Sequence, residues 1–172
     1  MKYFKETLID RINWSLVILV ALSSWLSASV VVDLVVIPSL ANAGMMAEPG
    51  FMNAGHALFS VFNHLELLLA ALVMTSYAVL RHQGQLTHNA ERWGGLIVIT
   101  LLAIAVGYTY GLTPAMSDLG FEMSAFNSSG EMPSSMMPLH WFYWSLELVK
   151  FGFGVMLFAW IEQPRLTTAS AE

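Results

Sequence analysis

Four long apolar stretches limit what this chain can fold into. They cover residues 14–37, 57–80, 94–112 and 139–161. Because an α-helix rises about 1.5 Å per residue, roughly 20 apolar residues cross the hydrocarbon core of a bilayer. The pattern predicts an all-α integral membrane protein, an up-down bundle of four helices that forms a single transmembrane domain over residues 1–172. The external loops are then expected at residues 38–56 and 113–138.

The basic residues predict the orientation of this bundle. Six of the seven fall on one side of the four stretches: Lys2, Lys5, Arg11, Arg81, Arg92 and Arg165. The two loops on the opposite side contain no Lys or Arg. Since cytoplasmic loops of membrane proteins carry an excess of basic residues, both termini are predicted to lie in the cytoplasm.

Composition excludes several other classes of protein. Charged residues make up 11% of the chain, whereas a soluble domain usually has about 25%. The net charge of −5 gives no indication of nucleic-acid binding, and the absence of cysteine excludes disulfides and thiolate chemistry. No nucleophile–base pair, phosphate loop or nucleotide motif is present, which argues against a hydrolase or kinase and leaves any enzymatic activity open.

Ionisable residues inside the apolar stretches are the first candidate site. They are Asp33, His64, Glu66, Glu147 and Lys150. Each charged group costs roughly 2.5–3.5 kcal/mol at the centre of a membrane helix, so they are expected to face the bundle interior. Glu66 and Lys150 lie at matched depth, ten residues after His56 and His140 respectively. The group either holds the helices in register or lines a polar cavity for a proton, an ion or a polar ligand.

Methionine placement indicates a second candidate site. Eight of the eleven methionines lie in the two external connections. Thioether sulfur suits Cu(I), and imidazole also binds copper. The candidate copper ligands are His56, His140, Met46, Met52, Met136 and Met137. The alternative is that flexible methionines cover apolar surface in these loops.

The same two histidines allow a third interpretation. In an up-down bundle the second and fourth helices are diagonal partners, so His56 and His140 at matched depth could supply two axial ligands to haem b. The alternative is a pair of interfacial histidines, one near each helix start. The cofactor is therefore left open between copper, haem b and none.

Several short motifs resemble a known family. Trp25 is followed by small residues, Val36-Ile37-Pro38 closes the first helix, Thr113-Pro114-Ala115-Met116 follows the third, and His140 opens the fourth. Together they resemble a family of four-helix bacterial membrane proteins related to transmembrane protein 205, and more distantly the copper-resistance D proteins. The resemblance implies a four-helix fold in the bacterial cytoplasmic (inner) membrane.

These sequence features are consistent with three functions. The first is binding of copper or haem at an outward-facing His/Met site. The second is a non-catalytic membrane subunit or assembly factor, in which the polar residues serve packing only. The third is a small proton-coupled transporter that uses Glu66, Glu147 and Lys150. Transport by one four-helix chain would need a homo-oligomer or a larger membrane complex around it in the lipid bilayer.

Overall fold

The computed structural model describes residues 12–45, 48, 50–126 and 136–169, with only the backbone described at 121–126 and 164–169. The described elements are α1 (Trp14–Val30), a first π-helical segment (Val31–Val36), α2 (Ile37–Asn42), α3 (Phe51–His82), α4 (His88–Gly107), a second π-helical segment (Tyr108–Leu112), α5 (Thr113–Phe126) and α6 (Met136–Ala169). The predicted basic residues Lys2, Lys5 and Arg11, and the predicted ligand Met46, lie outside the described residues.

Four continuous helical spans form the bundle. They are the first span (Trp14–Asn42), the second (Phe51–His82), the third (His88–Gly120) and the fourth (Met136–Gln163), and each is long and apolar enough to cross a membrane. Contacts run around a ring, from the first span to the second, third and fourth and back to the first. The prediction of an all-α membrane bundle is confirmed, and the second and fourth spans are diagonal neighbours.

The two ends of the bundle differ in composition. One end carries Arg81 and Arg92, on either side of the short connection between the second and third spans, and we call it the arginine end. The opposite end carries Met45, Met52 and Met136, and we call it the methionine end. Thr87 begins α4 by accepting a hydrogen bond from the Ala90 amide at 3.4 Å, and this N-cap fixes the turn at the arginine end.

At the methionine end the helices are longer than the sequence indicated. The first span continues to Asn42, the second begins at Phe51, α5 extends to Phe126 and α6 begins at Met136. The expected loop bounds of 38–56 and 113–138 were therefore wrong. Pro38 and Pro114 had indicated helix ends, yet each lies in the first turn after a π-helical segment. Each proline removes one backbone hydrogen bond, and it follows a segment in which the α-helical bonding pattern is already interrupted.

A close-packed apolar core fills the half of the bundle towards the arginine end. Its fully buried members include Ile18, Leu22, Val73, Leu101 and Leu157. Neighbouring spans approach closely at small residues: a Cβ at Gly94 would lie 2.6 Å from the Tyr77 ring, and a Cβ at Gly154 would lie 3.0 Å from Leu26. Such small residues let membrane helices pack backbone against side chain. Above this core, near mid-depth, the bundle interior becomes polar.

Candidate functional site

Lys150 lies at the centre of the polar interior and contacts side chains from three spans. It lies near the middle of the fourth span, and its side chain is fully buried. The ammonium nitrogen Nζ lies 2.6 Å from Glu147 Oε1, 2.7 Å from Glu66 Oε1 and 2.9 Å from Ser29 Oγ. An ammonium has three hydrogens, so each has an acceptor. Lys150 thereby joins the first, second and fourth spans, and its bond to Glu66 crosses the bundle diagonal.

Glu66 receives further donors from the first span. Trp25 Nε1 donates to Glu66 Oε1 at 2.8 Å, and Ser29 Oγ lies 3.1 Å from the same oxygen. Trp25 and Ser29 are one helical turn apart and both are buried. Glu66 Oε1 therefore lies within hydrogen-bonding distance of Lys150, Trp25 and Ser29, and it forms the ion pair that crosses the bundle.

A tyrosine pair connects Asp33 to this ion pair. Tyr143 Oη donates to Asp33 Oδ1 at 2.7 Å. The rings of Tyr143 and Tyr108 are 5.1 Å apart, and Tyr108 Oη donates to the Tyr143 carbonyl at 3.3 Å. Lys150 Nζ lies 5.5 Å from the centre of the Tyr108 ring, within the range of a cation–π interaction.

All four spans therefore contribute to one group of side chains, which we call the buried polar centre. Its members are Trp25, Ser29, Asp33, Glu66, Tyr108, Tyr143, Glu147 and Lys150. It holds three carboxyl groups and one ammonium group, so two negative charges are in excess when every group is ionised. Burying unpaired charge in a medium of low dielectric is costly, which favours protons on some of these carboxyls.

Two oxygens of the buried polar centre have no hydrogen-bond partner among the described residues. They are Asp33 Oδ2 and Glu147 Oε2. Asp33 is 7% exposed and Glu147 is 2% exposed, so neither oxygen is open to bulk solvent. A buried acceptor without a donor costs about 1–3 kcal/mol, which makes these two atoms the places where a proton or a cation would bind most favourably.

The two π-helical segments flank the buried polar centre. Asp33 lies within the first segment, and Tyr108 and Thr109 begin the second. Asn63 of the second span donates to the Tyr108 carbonyl at 3.4 Å and to Thr113 Oγ1 at 2.6 Å, which stabilises the widened backbone. Widened turns of this kind occur frequently at functional sites.

One comparison with known proteins found a similar sequence. A protein named "Amino-acid permease BAT1 homolog" from Oryza sativa subsp. japonica is 29% identical over 119 residues. The match covers 63% of this chain and 23% of the permease homologue. This chain therefore spans less than a quarter of the length of that protein. No family model and no solved structure matches the chain.

The structure brings together four of the five predicted intramembrane polar residues. Glu66, Glu147 and Lys150 meet directly, and Asp33 joins through Tyr143. His64 does not take part: it is exposed, and its Nδ1 lies 2.7 Å from the Ser60 carbonyl of its own helix. Two residues along a helix correspond to about 200° of rotation, so His64 and Glu66 face nearly opposite directions.

The two histidines proposed as metal or haem ligands are bonded to different partners. His56 Nδ1 lies 2.9 Å from Ser117 Oγ, and His140 Nδ1 lies 3.1 Å from the Met136 carbonyl. Within the part of the chain that the structure describes, no three or more His, Asp or Glu side chains are grouped to hold a metal ion.

The methionines proposed as copper ligands lie in different environments. Met52 and Met136 both approach Gly120, where an added Cβ would lie 3.5 Å from Met52 Sδ and 4.0 Å from Met136 Cε. Met137 is 56% exposed, and Met46 lies outside the described residues. Met52 of the second span and Met136 of the fourth thus both lie close to Gly120 of the third span.

Sequence reasoning missed four members of the buried polar centre: Trp25, Ser29, Tyr108 and Tyr143. Trp25 and Ser29 lie one turn apart on the first span, but Ser23, Ser24 and Ser27 in the same stretch concealed that spacing. Tyr143 belongs to the aromatic run Trp141-Phe142-Tyr143-Trp144, a composition typical of an aromatic belt at the membrane interface. Its neighbour Trp141 is 68% exposed and fits that belt, whereas Tyr143 turns inward to Asp33.

Proposed function

We propose that this chain is a membrane transport protein, or a subunit of one, in which the buried polar centre couples the movement of a small solute to a proton. The observation that carries the proposal is the presence of three carboxyls and one ammonium, all buried, near the middle of the spans. Intramembrane groups of this kind are characteristic of proton relays and substrate paths.

The ion pairs of Lys150 supply a physical basis for coupling. Lys150 contacts Glu147 on its own helix and Glu66 across the bundle. When Glu147 binds a proton, its hold on the ammonium weakens and the bond to Glu66 carries the full attraction. When it releases the proton, the charge balance shifts back. Proton binding thus changes how strongly Lys150 holds the second span to the fourth. A proton therefore shifts the population between arrangements of these two spans.

The similarity to a permease homologue favours an amino acid as the solute. That protein is about four times longer than the matched region, so its activity is carried over only as a proposal. The interior of the bundle is filled by the apolar core and the buried polar centre. We therefore propose that a solute path forms between copies of the chain, or between this chain and other subunits.

The proposed setting is the bacterial cytoplasmic membrane, with both termini and the arginine end on the cytoplasmic side. Arg81 and Arg92 support this orientation through the positive-inside rule. Reporters of cytoplasmic and external location fused after Gln85 and after Ala43 should give opposite signals. Finding both positions on one side of the membrane would refute the orientation.

Transport is tested with the full chain reconstituted in lipid vesicles. An imposed proton gradient should drive uptake of a labelled amino-acid mixture into vesicles containing wild-type protein. Glu147→Gln should lower gradient-driven uptake about tenfold or more, the size of a typical coupling between two sites. The matched control is Asp118→Asn, which changes an exposed carboxyl on the third span and should leave uptake unchanged. Equal uptake by wild-type and protein-free vesicles would refute the proposal.

Copper binding at the methionine end is the second candidate. The convergence of Met52 and Met136 near Gly120 favours it. His140 supports it as well: its Nδ1 donates to the Met136 carbonyl, so Nε2 is the ring nitrogen that would face a metal. Purified protein should then hold copper that Met52→Leu removes, whereas a Soret band lost in His140→Ala would indicate haem. Neither signal after reconstitution would eliminate this candidate.

A further inference from the structure

The geometry points to Asp33 and Glu147 as the proton-binding pair of the buried polar centre, with one proton shared between Asp33 Oδ2 and Glu147 Oε2. This inference rests on the proposed function and names the site at which its proton binds. The two atoms are buried carboxylate oxygens without a hydrogen-bond partner in the described residues. Proton binding converts one carboxylate oxygen into a hydroxyl, which donates to the remaining acceptor.

The neighbouring donors are already used. Lys150 directs its three hydrogens to Glu66, Glu147 Oε1 and Ser29. These bonds leave the ammonium with no hydrogen for either free oxygen. A donor for Asp33 Oδ2 or Glu147 Oε2 must therefore come from outside this set of bonds.

The two tyrosine hydroxyls are also committed. Tyr143 donates to Asp33 Oδ1. Tyr108 also interacts with Glu147, but it donates its hydrogen to the Tyr143 carbonyl. A tyrosine hydroxyl has a single hydrogen. The charged and titratable groups that face the Asp33–Glu147 pair are thus Glu66, Lys150, Tyr108 and Tyr143, and each has its own partner. A bound proton completes the hydrogen bonding of both free oxygens at once.

The charge of the buried polar centre supports the same site. Glu66 balances Lys150, because it accepts from the ammonium, Trp25 and Ser29. The Asp33 and Glu147 side chains are both buried and interact with each other, so they place two like charges in one buried space, where they repel each other. The two excess negative charges therefore lie on Asp33 and Glu147, and a proton bound between them removes one.

The position of the pair suits exchange with the methionine end. Asp33 is closer to that end than Ser29 on the first span, and Glu147 is closer to it than Lys150 on the fourth. Asp33 belongs to a π-helical segment, where the backbone departs from the regular α-helical bonding pattern. The pair therefore occupies the face of the buried polar centre that is nearest to the methionine end.

Infrared spectroscopy of the full chain in lipid nanodiscs tests this inference. At neutral pH the wild type should show the carbonyl stretch of a buried protonated carboxyl, with a shift in D₂O. Asp33→Asn and Glu147→Gln should each remove this band, and Asp118→Asn should leave it intact. The band should have the same intensity in sodium and in choline chloride.

Three results would overturn the assignment. One is the absence of the band from the wild type, which needs no variant to be folded. Another is survival of the band in both Asp33→Asn and Glu147→Gln, which places the proton elsewhere. The third is loss of the band in sodium chloride only, which makes the ligand a sodium ion. A normal band without gradient-driven uptake would support the proton site and refute the transport proposal.

Discussion

Replacing Lys150 by alanine should lower the free energy of unfolding by about 3–5 kcal/mol, the usual cost of removing one partner from a buried ion pair. The ammonium is fully buried and bonded to Glu66, Glu147 and Ser29. Without it, two carboxyls face each other in a closed space with no counter-charge. The loss should be measured by reversible unfolding of the full chain in mixed detergent micelles.

Two control variants separate the loss of charge from the loss of volume. Lys150→Met keeps most of the side-chain volume, so it should cost less than Lys150→Ala and still remain strongly destabilising. Arg92→Ala removes an exposed cation that packs 5.3 Å from the Trp93 ring, and it should cost less than about 1 kcal/mol. Similar costs for Lys150→Ala and Arg92→Ala would contradict a buried polar centre.

Regular helical geometry explains what the sequence could predict. Apolar length alone indicated the four spans, because a bilayer sets a minimum number of residues. Counting residues from the two histidines placed Glu66 and Lys150 at equal depth, and they meet at 2.7 Å. Glu147 and Lys150 are three residues apart, a spacing that lets two side chains pair on one helix, and the structure contains this pair.

Features that depend on contacts between spans could not be read from one helix at a time. The π-helical segment after Gly107 is stabilised by Asn63 from another span, so a local pattern gives no sign of it. The extensions of the first and third spans at the methionine end follow from these segments, since each segment precedes a proline that a regular helix would not accommodate. The prediction for His64 used its depth along the helix and ignored its rotation about the helix axis. His64 lies at the depth of the buried polar centre but on an exposed face of its helix.

The roles of the aromatic residues also could not be predicted from the sequence. Tyr143 and Trp141 belong to one run in the sequence, yet only Tyr143 points to Asp33. Trp25 is 1% exposed and donates to Glu66, although tryptophan in a membrane helix is more typical of the interface. Which aromatic side chain turns inward depends on the hydrogen-bond acceptors that other spans present.

The ion pair between Glu66 and Lys150 is the structural claim on which the buried polar centre and its proposed function depend. A double-mutant cycle measures it most directly, with Glu66→Gln, Lys150→Met and the combined variant unfolded under identical conditions. The matched control combines Lys150→Met with Asp118→Asn, where no contact exists to be lost and the costs should add within about 0.5 kcal/mol. We expect the Glu66–Lys150 double variant to be more stable than the sum of its single variants by roughly 2–3 kcal/mol. Additive costs for that pair, equal to those of the control, would contradict the account.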